Sequence, residues 1–453
     1  MTDRTQRPSS AQLTFERPFR LNLEQQKNRA KDLLRAARAA DPEALSRFAA
    51  VRRALTQHSP ETLPVTVKLV DAQYVIAREL RFASWAKLKE HIESMDLQRV
   101  AIEDKQPSPD GDLKTLHIRC GLDIKEKLVK AGFVGDFLEH AIPYCLGPVT
   151  GGPDRYELMA RYLVQAFPQI HGGLIYERVL EDLLLGEQRL YRASDDYERL
   201  VIWMEHDSWD QLILARLLVH YANAKRPRVL ELIALDEFPG AVRFIGLGQL
   251  PAEALRLLWP TRKPVTSAQL ALGSEVWNAL ASGDPRELAA IARSGTPALP
   301  IMAPALHRHL RELPSVENGL SLTEYLILEA VSEGSIAKPL RVWADLYPLF
   351  QKRDPIPWMP DTAFCNVINA MLSLSDPVLT FIRIPESPGR TSVEAPGKFL
   401  QLLVITELGR AVLRGERDWL SLRPPSRWVG GVHVSPSVTG WRWDEAERDA
   451  VLR

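Results

Sequence analysis

The sequence predicts an α/β protein with a Rossmann-like, mostly parallel sheet, preceded by a helical module and followed by a helical connector and a winged helix. Short apolar runs end in glycine or polar residues, and a helical pattern follows each of them. Strands that alternate with helices in this way are typical of a parallel sheet with both faces covered. Near the C-terminal end, three helical patterns precede two extended runs. That order is typical of a winged helix.

Composition excludes several classes of protein. The 453 residues are 45% hydrophobic and 25% charged, which is ordinary for a globular protein. Lys plus Arg equals Asp plus Glu at 57 each, so no overall basic field favours nucleic acid or an anionic membrane. No apolar run approaches the roughly 18 residues of a membrane span, and the Arg-rich start lacks a signal sequence's apolar region. The three cysteines are few and far apart. These features predict a cytoplasmic protein with no membrane segment.

The first hundred residues predict a small helical unit. Residues 1–21 are polar and are predicted to be a disordered tail, and residues 22–102 carry apolar positions at helical spacing. Residues 103–114 are charged and contain two prolines and a glycine, so they are predicted to be a linker.

The predicted Rossmann-like domain covers residues 115–250. Its strands are predicted at 115–120, 137–145, 200–204 and 229–235. Residues 251–317 then read as a helical connector. Within it, His307, Arg308 and His309 are expected on a solvated helix face, because residues two apart on a helix point in different directions.

The predicted winged helix covers residues 318–422. Helices near 323–331, 340–350 and 362–374 precede extended runs at 378–384 and 399–405. The third helix contains neither Arg nor Lys, which favours a protein partner over DNA, although DNA stays open because Lys352, Arg353, Arg383 and Arg390 lie near it in sequence. Residues 423–453 form an aromatic, glycine-rich tail that is expected to fold back onto another domain.

The strongest site candidates end the run at 200–204. Glu205, His206 and Asp207 follow it directly, where an open α/β sheet keeps its ligand site. Two carboxylates and an imidazole there can hold a divalent cation or act as acid and base. Ser208 as an N-cap, with Gln211 three residues later, predicts a capping box and accounts for Asp210 in the first turn without chemistry. Capping leaves Glu205 and His206 unexplained.

A second set of candidates ends the first strand. His117, Cys120 and Gly121 lie where such a sheet would place a phosphate, but no GxGxxG or GxxxxGK[ST] pattern is present. Cys120 with His117 is either a nucleophilic pair or a small buried apolar side chain beside a core histidine. Both strand ends are expected to face one cleft, with side chains within about 10 Å, two strand spacings. The predicted ligand-binding residues are His117, Cys120, Gly121, Gly147, Asp210, Gln211, Gly246 and Gly248.

Three functions remain open at this point. The first is a pocket for a small anionic or nucleotide-like ligand, coupled to a winged helix that meets a protein partner. The second is a metal-dependent hydrolase that uses Glu205, His206 and Asp207. The third is a winged-helix DNA-binding regulator. The sequence identifies no cofactor, and it does not establish that any reaction is catalysed.

Several ordered motifs carry a resemblance. They are LHIRCG at 116–121, LGPV at 146–149, WMEHDSWDQL at 203–212, GLGQL at 246–250, PVTSAQLAL at 264–272, NGLSLTE at 318–324 and RWVGGVHV at 427–434. Over residues 115–445 the chain resembles the bacterial family known as domain of unknown function 1835. That family has no established activity, so the resemblance implies an order of domains and no reaction. In its relatives an acidic residue directly follows the first glycine, whereas Leu122 here precedes Asp123.

The segment at 71–93 resembles the helical leader found ahead of ankyrin repeats in bacterial proteins. No ankyrin repeats follow it in this chain. This resemblance therefore implies a portable helical module without an activity of its own.

Overall fold

The computed structural model describes residues 19–55, 67–167, 173–241, 243–334, 339–385, 399–436 and 440–453. We number helices and strands in chain order. The first half contains α1 Leu23–Arg38, α2 Pro42–Leu55, α3 Leu69–Glu79, α4 Trp85–Glu103, β1 Thr115–Arg119, α5 Lys125–Lys130, β2 Asp136–Glu139, α6 Arg155–Ala166, α7 Tyr176–Asp196, β3 Arg199–Glu205, α8 Ser208–Asn223 and β4 Val229–Leu235.

The second half is mainly helical. It contains α9 Ala252–Leu258, β5 Lys263–Pro264, α10 Ser267–Ala281, α11 Pro285–Ser294, α12 Met302–Leu310, α13 Leu322–Glu333, α14 Tyr347–Arg353, α15 Asp361–Leu372, β6 Leu379–Pro385, β7 Phe399–Ile405, α16 Glu407–Leu413, β8 Arg427–Val429, β9 Val432–Val434, β10 Trp441–Asp444 and β11 Asp449–Leu452. No helix among the described residues is long and apolar enough to cross a membrane.

The main sheet has five strands in the order β2-β1-β3-β4-β5. The first four strands are parallel, and the two-residue β5 pairs antiparallel with β4. A mixed α/β fold with a mostly parallel sheet was predicted, and it is confirmed. The chain leaves β1 toward β2 on one side and returns to β3 on the other. A topological switch point therefore lies between β1 and β3, where α/β sheets bind ligands at the carboxyl ends of the strands.

Strand β3 lies at the centre of the sheet, and all seven of its residues are buried. Leu200, Ile202 and Met204 belong to one hydrophobic core, and Val201 and Trp203 belong to another. Successive side chains of a strand point to opposite faces, so a strand with two covered faces needs a continuous apolar run. Both faces are covered over residues 200–204, and the charged residues Arg199 and Glu205 stand at the two ends of the strand.

The N-terminal helices have a core of their own but also touch the α/β domain. Met95 of α4 belongs to the core behind Trp203, as does Phe19. The predicted tail falls outside the described residues over 1–18, and Phe19 is 3% exposed. The stretch predicted as a linker contains Asp110, which is fully buried and accepts hydrogen bonds from the backbone N–H groups of Val134 (3.0 Å) and Gly135 (2.8 Å). This part of the stretch is anchored to the sheet domain.

The region predicted as a winged helix contains three helices, then an antiparallel pair of strands, and then α16. Helices α13, α14 and α15 precede β6 and β7, and an isolated bridge joins Leu340 to Leu403 of β7. The loop between the two strands, residues 386–398, lies outside the described residues. The tail then folds back onto the α/β domain as predicted, because Gly430 donates to the Cys145 carbonyl (3.3 Å) and Val149 donates to the Gly430 carbonyl (3.2 Å).

The prediction of a solvated face at 307–309 is wrong. Arg308 is 1% exposed and His309 is 2% exposed. The guanidinium of Arg308 pairs with both oxygens of Asp354 at 2.9 and 2.7 Å and with Glu312 at 2.6 Å. A fully paired arginine can be buried, and sequence spacing alone does not reveal such partners.

Candidate functional site

The carboxyl ends of β1 and β3 meet through a buried ion pair. Nη2 of Arg119, the last residue of β1, lies 2.9 Å from Oε1 of Glu205, the last residue of β3. Arg119 is 1% exposed and Glu205 is 8% exposed. The two strand ends therefore converge at the switch point, as the sequence predicted.

Arg119 is surrounded by carboxylates. Its guanidinium donates to both oxygens of Asp123 at 3.1 Å each, and it also pairs with Asp210. Asp207 lies beside Asp210 at the start of α8. The cluster thus holds four carboxylates, three of which contact the guanidinium, and it carries three excess negative charges if all four are ionised. A charge imbalance of this size in a buried site is costly without a further cation or a bound proton.

The N-terminus of α8 differs in detail from the predicted capping box. The N-cap is Asp207, whose Oδ1 accepts from the backbone N–H of Asp210 at 2.9 Å. Ser208 instead donates to the carbonyl of Ala305 in α12 at 3.0 Å, and Gln211 donates to the carbonyl of Glu205 at 2.6 Å. Helix capping therefore accounts for Oδ1 of Asp207, which accepts this hydrogen bond. Its other oxygen makes no hydrogen bond to a described residue.

The carboxylates of Glu205, Asp207 and Asp210 form a compact donor set. One oxygen of each lies within 4.8 Å of the others, and all three residues are buried. Burial raises the pKa of Glu205 to about 7, with Arg119 lowering it and Asp210 raising it. Burial and the charges of Asp210 and Glu205 raise the pKa of Asp207 well above its usual range. Near neutral pH, therefore, this site holds protons that a cation can replace.

Two glycines let the next loop approach this cluster. A Cβ on Gly246 would lie 2.5 Å from both carboxylate oxygens of Glu205, and a Cβ on Gly248 would lie 2.9 Å from Oδ2 of Asp123. Between them, the backbone N–H of Leu247 donates to Oε2 of Glu205. The GLGQL motif thus packs main chain directly against the acidic side chains. A larger residue at position 246 must displace Glu205.

The cluster opens into a cavity of about 380 Å³, which we call the switch-point cleft. One side belongs to the α/β domain and the other to the segment between α14 and α15. The lining residues are Cys120, Asp123, Glu205, Asp207, Trp209, Asp210, Ile245, Gly246, Gly248, Gln249, Gln351, Pro357, Trp358, Met359 and Pro360. The C-terminal region therefore supplies a wall of the site.

Several predicted site residues lie elsewhere. His117 is 1% exposed, and both of its ring nitrogens have partners in the core. An indole can only donate, so Nδ1 of His117 accepts from Trp203 (3.1 Å), and Nε2–H donates to Asp110 (3.0 Å). Gly147 lies against Met159 and Tyr162 of α6. These contacts give both residues structural roles outside the cleft.

His206 and Cys120 lie near the cluster but are poorly suited to chemistry there. The ring of His206 packs beside Phe244 with centroids 5.9 Å apart, and burial lowers its pKa. It is not among the residues that line the cleft. Cys120 does line the cleft, but burial and the charge of Asp210 raise the pKa of its thiol well above the usual range. A thiol of this kind is not the thiolate that nucleophilic catalysis requires.

Sequence reasoning missed Arg119, Asp123 and the wall at 357–360. An arginine inside a short apolar strand was the available signal for Arg119, because such a side chain is buried only with partners. Asp123 lies four residues further on and reaches Arg119 despite the extra Leu122. The wall comes from a distant part of the chain, which no local pattern connects to β3.

We compared the chain with models of protein families, with curated proteins and with solved structures, and none of the three comparisons found a match. The resemblance to the domain of unknown function 1835 family therefore stays a prediction.

Proposed function

We propose that the switch-point cleft binds one divalent cation through Glu205, Asp207 and Asp210, and that the cation in turn binds a small anionic, nucleotide-like ligand. The observation that carries this proposal is the three buried carboxylates with oxygens within 4.8 Å of one another. Oxygens on opposite sides of a Ca²⁺ ion are about 4.6 to 5.2 Å apart, and those around Mg²⁺ about 4.1 Å apart. The donor set therefore fits a hard cation after small side-chain shifts.

The excess negative charge of the cluster favours the binding of a cation over the binding of an anion. Among the described residues, Arg119 is a basic side chain that the cluster contacts directly, and its guanidinium is already engaged by Asp123, Glu205 and Asp210. An anion that bound without a cation would be repelled by the excess carboxylates. A divalent cation offsets that excess and offers open coordination positions toward the cleft.

The rest of the cleft suits a flat ligand attached to the cation. Trp209 and Trp358 line it, together with the loop that contains Gly246 and Gly248. Aromatic side chains stack on flat ring systems, and glycine backbone allows close approach of a phosphate. The strand order β2-β1-β3-β4 also supports the proposal that this is a Rossmann-like domain, since such domains bind nucleotides at their switch point.

Hydrolysis is the second candidate function, and one observation favours it. Glu205 has a pKa of about 7, which is the range of an effective general base at neutral pH. A cation held by Asp207 and Asp210 would bind the water, and Glu205 would accept its proton. His206 has no part in this version, because it does not line the cleft.

The C-terminal region supports a proposed winged helix whose third helix faces protein. Ala363, Asn366 and Val367 of α15 line a cavity inside the molecule, and Asn366 donates to the carbonyl of Ala166 in α6 at 2.7 Å. DNA readers of this kind present the third helix to the major groove and need basic side chains around it. We therefore place the protein-interaction proposal ahead of DNA binding.

The cation proposal is tested by titrating the apo protein with Mn²⁺, Mg²⁺ and Ca²⁺ separately in a calorimeter at pH 6 and pH 8. We expect one site per chain, with affinity at least tenfold higher at pH 8. The sign follows from Glu205, whose raised pKa means that a proton must leave as the cation binds, and protons compete more strongly below pH 7. Chelation with EDTA should reverse any rise in melting temperature.

Variants of the cluster locate the site. Asp207→Asn keeps an oxygen for the α8 cap but removes the charge, so it should fold normally and lose cation binding at least tenfold. Glu205→Gln should do the same and reduce the pH dependence, while Asp207, whose pKa is also raised, keeps part of it. Asp182→Asn, on an exposed turn of α7, is the matched control and should bind like the parent. Stoichiometric binding that survives both cluster variants would contradict the proposal.

A further inference from the structure

A second and larger cavity lies on the other side of the segment that walls the switch-point cleft. Its volume is about 490 Å³, and we call it the aromatic cavity. It lies between α6, α15 and the β8–β9 hairpin of the tail. Five aromatic residues line it: Tyr162, Phe167, Trp358, Trp419 and Trp428. A volume of this size is within the range of small-molecule pockets, and the ring surfaces favour a flat apolar ligand.

The two carboxylates in its wall are already used. Glu324 accepts from the backbone N–H of Ser321 at 2.7 Å and from Nε1 of Trp419 at 3.0 Å. Glu312 accepts from Arg308 at 2.6 Å and from the hydroxyl of Thr323 at 2.5 Å. Burial raises the pKa of Glu312, but Arg308 and then Arg427 outweigh this effect, and the net shift is downward. Both carboxylates thus serve the protein's own structure.

Two donors in the same wall are not used. Nη2 of Arg427 lies 3.5 Å from Oε2 of Glu324, close enough for an ion pair, yet it is buried without a hydrogen-bond acceptor among the described residues. Nε1 of Trp358 is also buried without an acceptor there, and Trp358 is 7% exposed. A buried donor without an acceptor is destabilising. Both are donors, so a ligand that satisfies them must bring acceptor atoms.

We propose that the aromatic cavity binds a planar aromatic carboxylate. The ligand's ring lies among the five aromatic residues, and its carboxylate accepts from Nη2 of Arg427 and Nε1 of Trp358. A cationic ligand would leave both donors unpaired, and a pure hydrocarbon would do the same. This site is separate from the proposed cation site, and neither proposal depends on the other.

A charge series of probes tests the proposal on the full-length chain. The probes are naphthalene-2-carboxylate, the neutral ketone 2-acetylnaphthalene and the cation 2-naphthylmethylamine, each titrated while tryptophan fluorescence is recorded. We expect one site per chain and at least tenfold tighter binding of the carboxylate, because charge-assisted hydrogen bonds are about twice as strong as neutral ones. Equal binding of all three probes, or no binding of the carboxylate at 1 mM, overturns the proposal.

Variants then assign the two donors. Trp358→Phe keeps a ring and removes the N–H, so it should weaken the carboxylate about tenfold while the ketone and cation change less. Arg427→Gln should weaken it more and abolish the preference for the anion. Trp343→Phe is the matched control, since Trp343 is 44% exposed and does not line the cavity. Circular dichroism and melting temperature establish folding for each variant. Unchanged carboxylate affinity in folded Arg427→Gln contradicts the proposal.

Discussion

Arg119 and Arg308 are two of the buried arginines, and the carboxylates around them compensate the buried positive charge in different ways. Each is 1% exposed, and each pairs with carboxylates. Arg308 meets two of them, Asp354 on one edge of its guanidinium and Glu312 on the other, and Thr323 ties Glu312 in place. Arg119 lies in a cluster of four carboxylates, three of which it contacts, and that cluster opens into a cavity.

The difference separates a structural network from a candidate site. Around Arg308 the donors and acceptors are matched, and the net pKa shift of Glu312 is downward, because Arg308 and then Arg427 outweigh the upward effect of burial. Around Arg119 the cluster holds four carboxylates, against the two that pair with Arg308, and the pKa values of Glu205 and Asp207 are raised. Perturbed groups without a structural need are typical of functional sites. The comparison yields four predictions.

The largest effect is expected at the balanced network. Arg308→Met leaves Asp354 and Glu312 buried without their partner, and breaking a buried pair in this way costs about 3–5 kcal/mol. We expect that loss in the free energy of unfolding measured with urea. Arg311→Met is the control, because Arg311 is partly exposed and pairs with an exposed Glu445, so its loss should be under about 1 kcal/mol. Equal losses for both variants would contradict this account of the network.

The second largest effect is expected on lowering the pH, which should reduce the stability of the region around Arg308. His309 is buried, and burial lowers its pKa to about 4, with Glu312 raising it and Arg308 lowering it. A histidine whose folded pKa is lowered contributes stability above its unfolded value of about 6.5, and that stability is lost as pH falls toward 4. The shift corresponds to about 3 kcal/mol.

Unfolding with urea at pH 7, 5.5 and 4.5 measures this effect. His309→Gln should reduce the fall in stability between pH 7 and pH 4.5. Burial also lowers the pKa of His140 to about 4, so part of the acid sensitivity should remain in that variant. A variant with the same acid sensitivity as the parent would show that His309 does not titrate in this way.

A smaller effect of opposite sign is expected in the cluster around Arg119. Asp207→Asn removes one of the excess carboxylates, so the cation-free protein should gain about 1 kcal/mol of stability at pH 8. In saturating cation the order should reverse, because the parent alone gains binding energy. Melting temperatures with EDTA and with cation measure both states. A cation-free variant less stable than the parent would mean that Asp207 is needed for structure.

The smallest change in stability is expected at the glycine loop. Gly246→Ala places a Cβ 2.5 Å from the oxygens of Glu205, so the side chain of Glu205 must move. Cation affinity should therefore fall about tenfold, and the free energy of unfolding should fall by about 1 kcal/mol. Gly248→Ala displaces Asp123, whose carboxylate is partly exposed and not in the donor set, so cation affinity should change little. A larger affinity loss for Gly248→Ala would shift the proposed site toward Asp123.

Local patterns predicted β1, β3 and β4 because a strand with two covered faces leaves a continuous apolar run, but the strand predicted at 137–145 is too long, since β2 covers only Asp136–Glu139. Val201 to Met204 is such a run, and Glu205 follows it at the strand's end. The same patterns misplaced the N-cap, since Asp207 and Ser208 are both good capping residues and only the contact with Ala305 distinguishes them. Sequence could not place His117 in the core, because its partners Asp110 and Trp203 come from opposite sides of it in the chain.

The segment between α14 and α15 has one further property. Trp358 and Met359 line the switch-point cleft on one side and the aromatic cavity on the other. Because the same two side chains form part of both walls, a change in their conformation in one cavity also changes the shape of the other. If occupancy of either compartment selects one arrangement of these side chains, thermodynamic reciprocity requires each ligand to change the other's affinity by the same factor. The two compartments would then act as a single coupled unit spanning the α/β domain and the C-terminal half.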